Sequence, residues 1–258
     1  MVSSPVGDLC GRWAVVTGGS KGIGLGIAEA LVNHGANVAI VARSADDLAV
    51  AKEQLQKLGG DGQEVLSGVA DFGDPGDIDR YFEKLRDQIG HLDVFVANAG
   101  TGGLTSFLDL QLTEWDRIVN TNLRGTFVAC QAAARMMLEH PNRGQCILVI
   151  SSIRSHGYRP GTLPYACSKA ALNQFVRGTA YELSSPGIRV NALSPGMTVT
   201  PLMLKGTPNV EEIAAQTIPM GRAGQPMDMA EAAVFLCGPH AAFITGANLV
   251  VDGGESLR

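Results

Sequence analysis

The sequence predicts an α/β protein: one domain built on a doubly wound sheet of about seven parallel strands, flanked by helices. Three observations carry that expectation. Short β-branched apolar runs alternate with longer helical patterns along nearly the whole chain, which is the rhythm of βαβ units. Several runs are apolar at consecutive positions, as strands covered on both faces are. The 258 residues, 45% of them apolar, supply a core for one large domain, and no linker divides them.

Strands are expected at 13–17 (WAVVT), 37–42 (NVAIVA), 64–70 (EVLSGVA), 92–97 (LDVFVA), 146–151 (CILVIS), 188–193 (IRVNAL) and 248–253 (NLVVDG). Helical patterns fill 22–34, 46–58, 77–89, 113–139, 164–184 and 226–237. Thr113, ahead of Glu114 and Trp115, suits the N-cap of the fourth helix. Asp46 and Asp47 stand where the second helix begins and complement the positive end of its dipole. The irregular stretch 194–224, rich in Pro, Gly, Thr and Met, has only a short helical pattern at 210–216. A loop of that length in a compact domain is expected to work as a substrate lid.

Composition excludes several classes. A net charge of -5 without a basic run argues against nucleic acid or an anionic membrane as partner. The longest stretch free of Asp, Glu, Lys and Arg, 232–251, is broken by Gly238-Pro239-His240 and is not a membrane span. No basic start followed by an apolar block marks a signal peptide. Five cysteines without a C-x-x-C pair suggest neither a disulfide framework nor a zinc site, so a reducing, cytoplasmic setting is expected. His156 has no second ligand at metal-binding spacing, and no metal is expected. Cys167 reads as a small buried apolar residue rather than a redox switch.

The first strand runs directly into Thr17-Gly18-Gly19-Ser20-Lys21-Gly22-Ile23-Gly24, within which a helix opens. Glycines there let the backbone approach a pyrophosphate, whose charge is stabilised by free N–H groups and the helix dipole. The expectation is the phosphate turn of a Rossmann-like dinucleotide fold, with a tight strand-to-helix turn that holds no ligand as the alternative. The second strand then ends Val41-Ala42-Arg43-Ser44, with no carboxylate for a ribose 2′-hydroxyl. Arg43 is instead suited to charge-assisted bonds with a 2′-phosphate, and Lys21 offers a second cation. The expected cofactor is NADP(H).

Tyr165 and Lys169 are four apart on an expected helix and so share one face. Ser152 closes the fifth strand, thirteen residues before the tyrosine, at the carboxyl end where an open α/β sheet places its ligand crevice.

In these motifs the sequence resembles the short-chain dehydrogenase/reductase family, from Trp13 to about Gly254. Further matching motifs are Asp71 after the third strand, Asn98-Ala99-Gly100 after the fourth, Asn122 within Asn120-Thr121-Asn122-Leu123-Arg124-Gly125, Pro195-Gly196, and Val251-Asp252-Gly253-Gly254. The family commonly has Asn where this chain has Ala97. The resemblance implies four catalytic residues. Tyr165 would be the general acid in reduction, and Lys169 would favour its phenolate and hold the nicotinamide ribose. Ser152 would hold the substrate oxygen, and Asn122, which precedes the Leu-x-Gly step, would position a water linking the lysine to solvent. For the cofactor it implies the loop residues Gly18, Ser20, Lys21, Gly22, Ile23 and Gly24, then Arg43 and Ser44. Asp71 and Phe72 would lie near adenine, Asn98, Ala99 and Gly100 along the adenosine ribose, and Pro195, Gly196, Thr198 and Thr200 around the nicotinamide and phosphates.

The substrate pocket is expected between 153–159, 101–104, Met197 and Leu202-Met203-Leu204. Deformable methionines and leucines suit a moderately bulky, largely apolar carbonyl compound. Arg154, His156 and Arg159 raise an anionic substrate as an alternative, but are expected as ordinary residues of an exposed loop. The expected function is thus NADP(H)-dependent interconversion of a ketone and a secondary alcohol by a homo-oligomer, a dimer or tetramer. An NAD-preferring alcohol dehydrogenase and a non-catalytic dinucleotide-binding scaffold remain as alternatives.

Overall fold

The computed structural model describes residues 8–257. Seven strands form one sheet in the order β3-β2-β1-β4-β5-β6-β7, and every neighbouring pair is parallel. They are β1 (Trp13–Thr17), β2 (Asn37–Ala42), β3 (Val65–Val69), β4 (Val94–Ala97), β5 (Cys146–Ile150), β6 (Arg189–Pro195) and β7 (Asn248–Val251). The order reverses between β1 and β4, so a topological switch point opens at their carboxyl ends.

Helices α1 (Gly22–Asn33), α2 (Ala45–Leu58) and α9 (Pro226–Cys237) cover one face. The other carries α3 (Pro75–Ile89), α5 (Gly125–Glu139) and α6 (Leu163–Ser184). Burial on both sides explains the unbroken apolar runs: β1, β4 and β5 are buried throughout. The edge strands differ. In β3 and β7 every second residue reaches solvent, and Val69 is 60% exposed. Gly26 matters for the packing of α1 on α9, because a Cβ there would stand 2.9 Å from that of Pro226.

Three expectations need correction. The helix expected at 113–139 is α4 (Leu112–Val119), a π-helical turn at Asn120–Arg124, and α5. A π turn adds a residue to the winding and shifts the apolar face by one position, a step that neighbouring short helical patterns do not reveal as a break. Thr113 is not the N-cap: the backbone turns extended at Gln111, one residue before α4 begins, which leaves Thr113 inside the first turn. The segment 194–224 is not mainly irregular. Besides the expected helix at 210–216, present as α8 (Val210–Thr217), it carries an unexpected α7 (Pro201–Gly206), and the segment has a small core of Met197, Val210, Ala214, Ile218 and Ala223.

The amino edge of the sheet is closed by polar groups satisfied within the protein. Asp93 is fully buried, accepts from the Trp13 N–H at 2.9 Å and takes Arg143 Nε at 2.6 Å. Gln145 donates to the carbonyls of Met137 and His140, and Arg189 to those of Leu236 and Gly238. Among the described residues no helix is long and apolar enough to cross a membrane.

Candidate active site

At the carboxyl ends of the strands lies a crevice of about 440 Å³. Its inner half is built largely from backbone. The loop between β1 and α1 turns through Gly18 at φ 64° and Gly22 at φ 57°, conformations that favour glycine. A Cβ at Gly24 would overlap the Gly18 carbonyl and the Asn98 amide. The loop is tied to its surroundings: Gly18 N–H donates to Val41 O at 2.7 Å, and Asn98 Nδ2 to Thr17 O at 2.8 Å. Thr17 Oγ1 accepts from the N–H groups of Asn98 and Ala99 at 2.9 and 2.8 Å. Such a cradle admits a pyrophosphate because no side chain fills it, and α1 begins at Gly22 with its free N–H groups directed there.

The structure places the expected cofactor residues around this cradle. Ile23, Asn98, Gly100 and Thr198 line the crevice, as do Pro195, Gly196 and Thr200 from the end of β6 onward. Asp71 is half-buried after β3, not among the residues that line the crevice, and accepts the Gly73 N–H at 2.8 Å. The Phe72 side chain turns into the core, so only its main chain is free to meet a ligand. Ser20 and Lys21 sit on the loop. Ser44 caps α2 by accepting from Asp47 N–H at 3.2 Å. Arg43 is exposed just past β2, while Lys21 pairs with Asp47 at 2.7 Å. The expected second cation is thus already engaged.

The chemical half brings three of the four candidate residues, Ser152, Tyr165 and Lys169, to the crevice wall, while Asn122 lies behind it. Ser152 is buried past β5 and hydrogen-bonds the Tyr165 hydroxyl. Lys169 lies one turn along α6, its Nζ 5.6 Å from the centre of the tyrosine ring and donating to Ile150 O at 2.6 Å. Burial without a counter-charge pushes the Lys169 ammonium down to about 8. Asn122 is fully buried, and its amide is saturated: Oδ1 accepts Thr101 N–H at 2.8 Å, while Nδ2 donates to Thr101 O and Ser168 Oγ. Its side chain braces α6 against the loop after β4, leaving only the Asn122 carbonyl to meet a water. That carbonyl sits in the π turn and accepts Thr126 Oγ1 at 2.7 Å.

The electrostatics differ from the expectation in one respect. Burial pushes the Tyr165 phenol up, and the opposing pull comes from the Ser152 hydrogen bond and then the Arg154 charge. Arg154 is not the ordinary loop residue that the sequence leads one to expect. It lines the crevice and pairs with Glu255 at 2.6 Å, while the other carboxylate oxygen of Glu255 accepts Met197 N–H at 2.7 Å. The pair ties the segment after Ser152 to the loop after β6. The partners stand 101 positions apart, and no local pattern announces them. Arg159 likewise lines the crevice, whereas His156 is exposed. Cys167, expected to be buried, is exposed on α6, since Tyr165 and Lys169 take the inward face.

Comparison with known proteins agrees with this arrangement. A family model described as enoyl-(acyl carrier protein) reductase matches residues 18–256. A glucose 1-dehydrogenase of Gluconobacter oxydans is 34% identical over 249 residues, covering 96% of this chain and 92% of that one. A 3alpha-hydroxysteroid dehydrogenase of Mediterraneibacter gnavus is 35% identical over 240 residues, covering 93% and 95%. A short-chain type dehydrogenase/reductase from Mycobacterium marinum superposes with a TM-score of 0.91 at 32% identity, covering 98% of each chain. The fold and crevice are those of an oxidoreductase acting on CH–OH and C=O groups with a nicotinamide dinucleotide. The chain belongs to the short-chain dehydrogenase/reductase family.

Proposed function

We propose that the protein is an NADP(H)-dependent carbonyl reductase that interconverts a moderately bulky, largely apolar ketone and its secondary alcohol. The observation that carries the reading is the cluster of Ser152, Tyr165 and Lys169 at the floor of the crevice, with the phenol kept protonated by burial. A bound dinucleotide supplies the hydride. Ser152 Oγ holds the carbonyl oxygen, and Tyr165 donates its proton there. Lys169 uses one N–H on Ile150 O and has two left for the nicotinamide ribose and for a water at the Asn122 carbonyl. The lid helix α7 closes the pocket with Leu202 and Met203, which favours apolar substrate bodies. Exposed Phe127 on α5 and Tyr181 on α6 fit association with another copy of this chain, in a cytoplasmic homo-oligomer.

The NADP preference rests on Arg43, exposed beyond a strand that ends without a carboxylate. An NAD-preferring reading has one observation in its favour, the neutralisation of Lys21 by Asp47. Arg43→Ala decides between them. Its NADPH dissociation constant is expected to rise about tenfold or more while that of NADH stays put. Unchanged affinity for both would overturn the NADP reading, and absence of ketone-dependent NADPH oxidation across a broad panel would overturn the reductase reading.

A further inference from the structure

The crevice is lined by four basic side chains, Arg154, Arg159, Lys169 and Lys205, and by no acidic one, in a chain whose net charge is -5. Two are accounted for. Lys169 stands beside Tyr165, and Arg154 is neutralised by Glu255. The other two have no carboxylate within ion-pair distance among the described residues. Arg159 donates to a neutral group, Thr207 Oγ1, at 3.2 Å. The acid behind this wall, Glu114, is turned to Thr105 Oγ1 at 2.7 Å and does not line the crevice.

Their place along the lid separates them from the phosphate cradle. Helix α7 packs its first end on the cofactor loop: a Cβ at Gly22 would stand 3.2 Å from that of Thr200, which caps the helix. Its other end meets the far wall, where a Cβ at Gly206 would lie 3.0 Å from Leu104 Cδ1. The two ends are about 9 Å apart at 1.5 Å per residue. Lys205 is in the last turn, and Arg159 reaches Thr207 just beyond it. Both cations therefore stand at the outer, substrate end. The crevice walls also carry the apolar side chains of Leu104, Met197, Leu202 and Met203 beside the polar Thr162.

Building on the ketone-reductase reading of the same crevice, we propose that the substrate is a keto acid whose carboxylate, at the end remote from the carbonyl, is held by Arg159 and Lys205. The guanidinium supplies a fork for the carboxylate, the ammonium a second charge, and the apolar walls accommodate the chain between the two functional groups.

The probes are 4-oxopentanoate, 6-oxoheptanoate and 8-oxononanoate, each with its methyl ester. Binding to the protein saturated with NADP+ is measured by calorimetry for the wild type, Arg159→Gln, Lys205→Gln and the double variant, and NADPH oxidation is followed separately. At one chain length or more the acid is expected to bind about tenfold to a hundredfold more tightly than its ester. Each single variant should reduce that preference, and the double variant should abolish it without changing NADP+ affinity. Esters that bind as tightly as acids at every length, or a preference that survives in the double variant, would overturn the proposal. Tight acid binding without NADPH oxidation would support the anion site and count against the reductase reading. Oxidation driven by esters in preference to acids would do the reverse.

Discussion

Asp93 and Lys169 are both buried charges at opposite edges of one sheet, and the protein treats them oppositely. Asp93, at the amino edge, meets a guanidinium at 2.6 Å and a main-chain N–H. Lys169, at the carboxyl edge, meets a carbonyl oxygen and no carboxylate, and burial lowers it to about 8. Neighbouring polar groups at the amino edge, such as Gln145, are satisfied by main-chain carbonyls, while at the carboxyl edge the partly buried Arg159 and the exposed Arg43 and Lys205 have no carboxylate partner among the described residues. A buried charge with its counter-charge holds a fold together, whereas one left uncompensated marks a site kept for ligands and chemistry.

That contrast is broken or sharpened by substitution at each edge. The largest effect on stability is expected for Asp93→Ala, which leaves the buried Trp13 N–H without its acceptor and releases the half-exposed Arg143; urea denaturation should show a loss of about 2–3 kcal/mol. A loss below about 1 kcal/mol would mean that the amino edge is not held this way. Lys169→Met should do the opposite at its edge. Turnover should fall about a hundredfold or more, while the variant gains on the wild type in cofactor-free stability near neutral pH. The sign follows from proton binding: folded Lys169 titrates near 8 and the unfolded side chain near 10.5, so the unfolded state holds more protons between them and wild-type stability rises with pH across that window. The variant's advantage should therefore shrink by about 2–3 kcal/mol between pH 7 and pH 10, read from paired denaturation curves. A pH-independent difference would contradict an uncompensated ammonium. The smallest effect is expected for Arg154→Met. Removing its charge disfavours the phenolate that serves as base in alcohol oxidation, so the limb on which oxidation rises with pH should move up by less than about one pH unit, whereas a downward shift would contradict the assignment.

Local patterns made much of the architecture legible. The bounds of β1 and β2, the glycine loop, and the one-turn spacing of Tyr165 and Lys169 depend on residues close in sequence, where periodicity and turn chemistry speak. What escaped depends on distant partners. The Arg154–Glu255 pair joins segments from the middle and the end of the chain, and the placement of Arg159 in the crevice wall requires the lid to fold over it. Helix α7 is too short to show a full period, the π turn shifts the apolar face by only one position, and the exposure of Cys167 follows from which face of α6 turns inward. The saturation of the Asn122 amide was equally hidden, since Thr101 and Ser168 come together only in the folded chain.

The central claim is that Tyr165 is the proton donor of a reductive site whose cofactor cradle stands independently of it. Tyr165→Phe tests this most directly, with NADPH binding followed by calorimetry and ketone reduction by NADPH absorbance. The account predicts binding within about threefold of wild type and turnover reduced by about a thousandfold. Turnover within tenfold of wild type would contradict it.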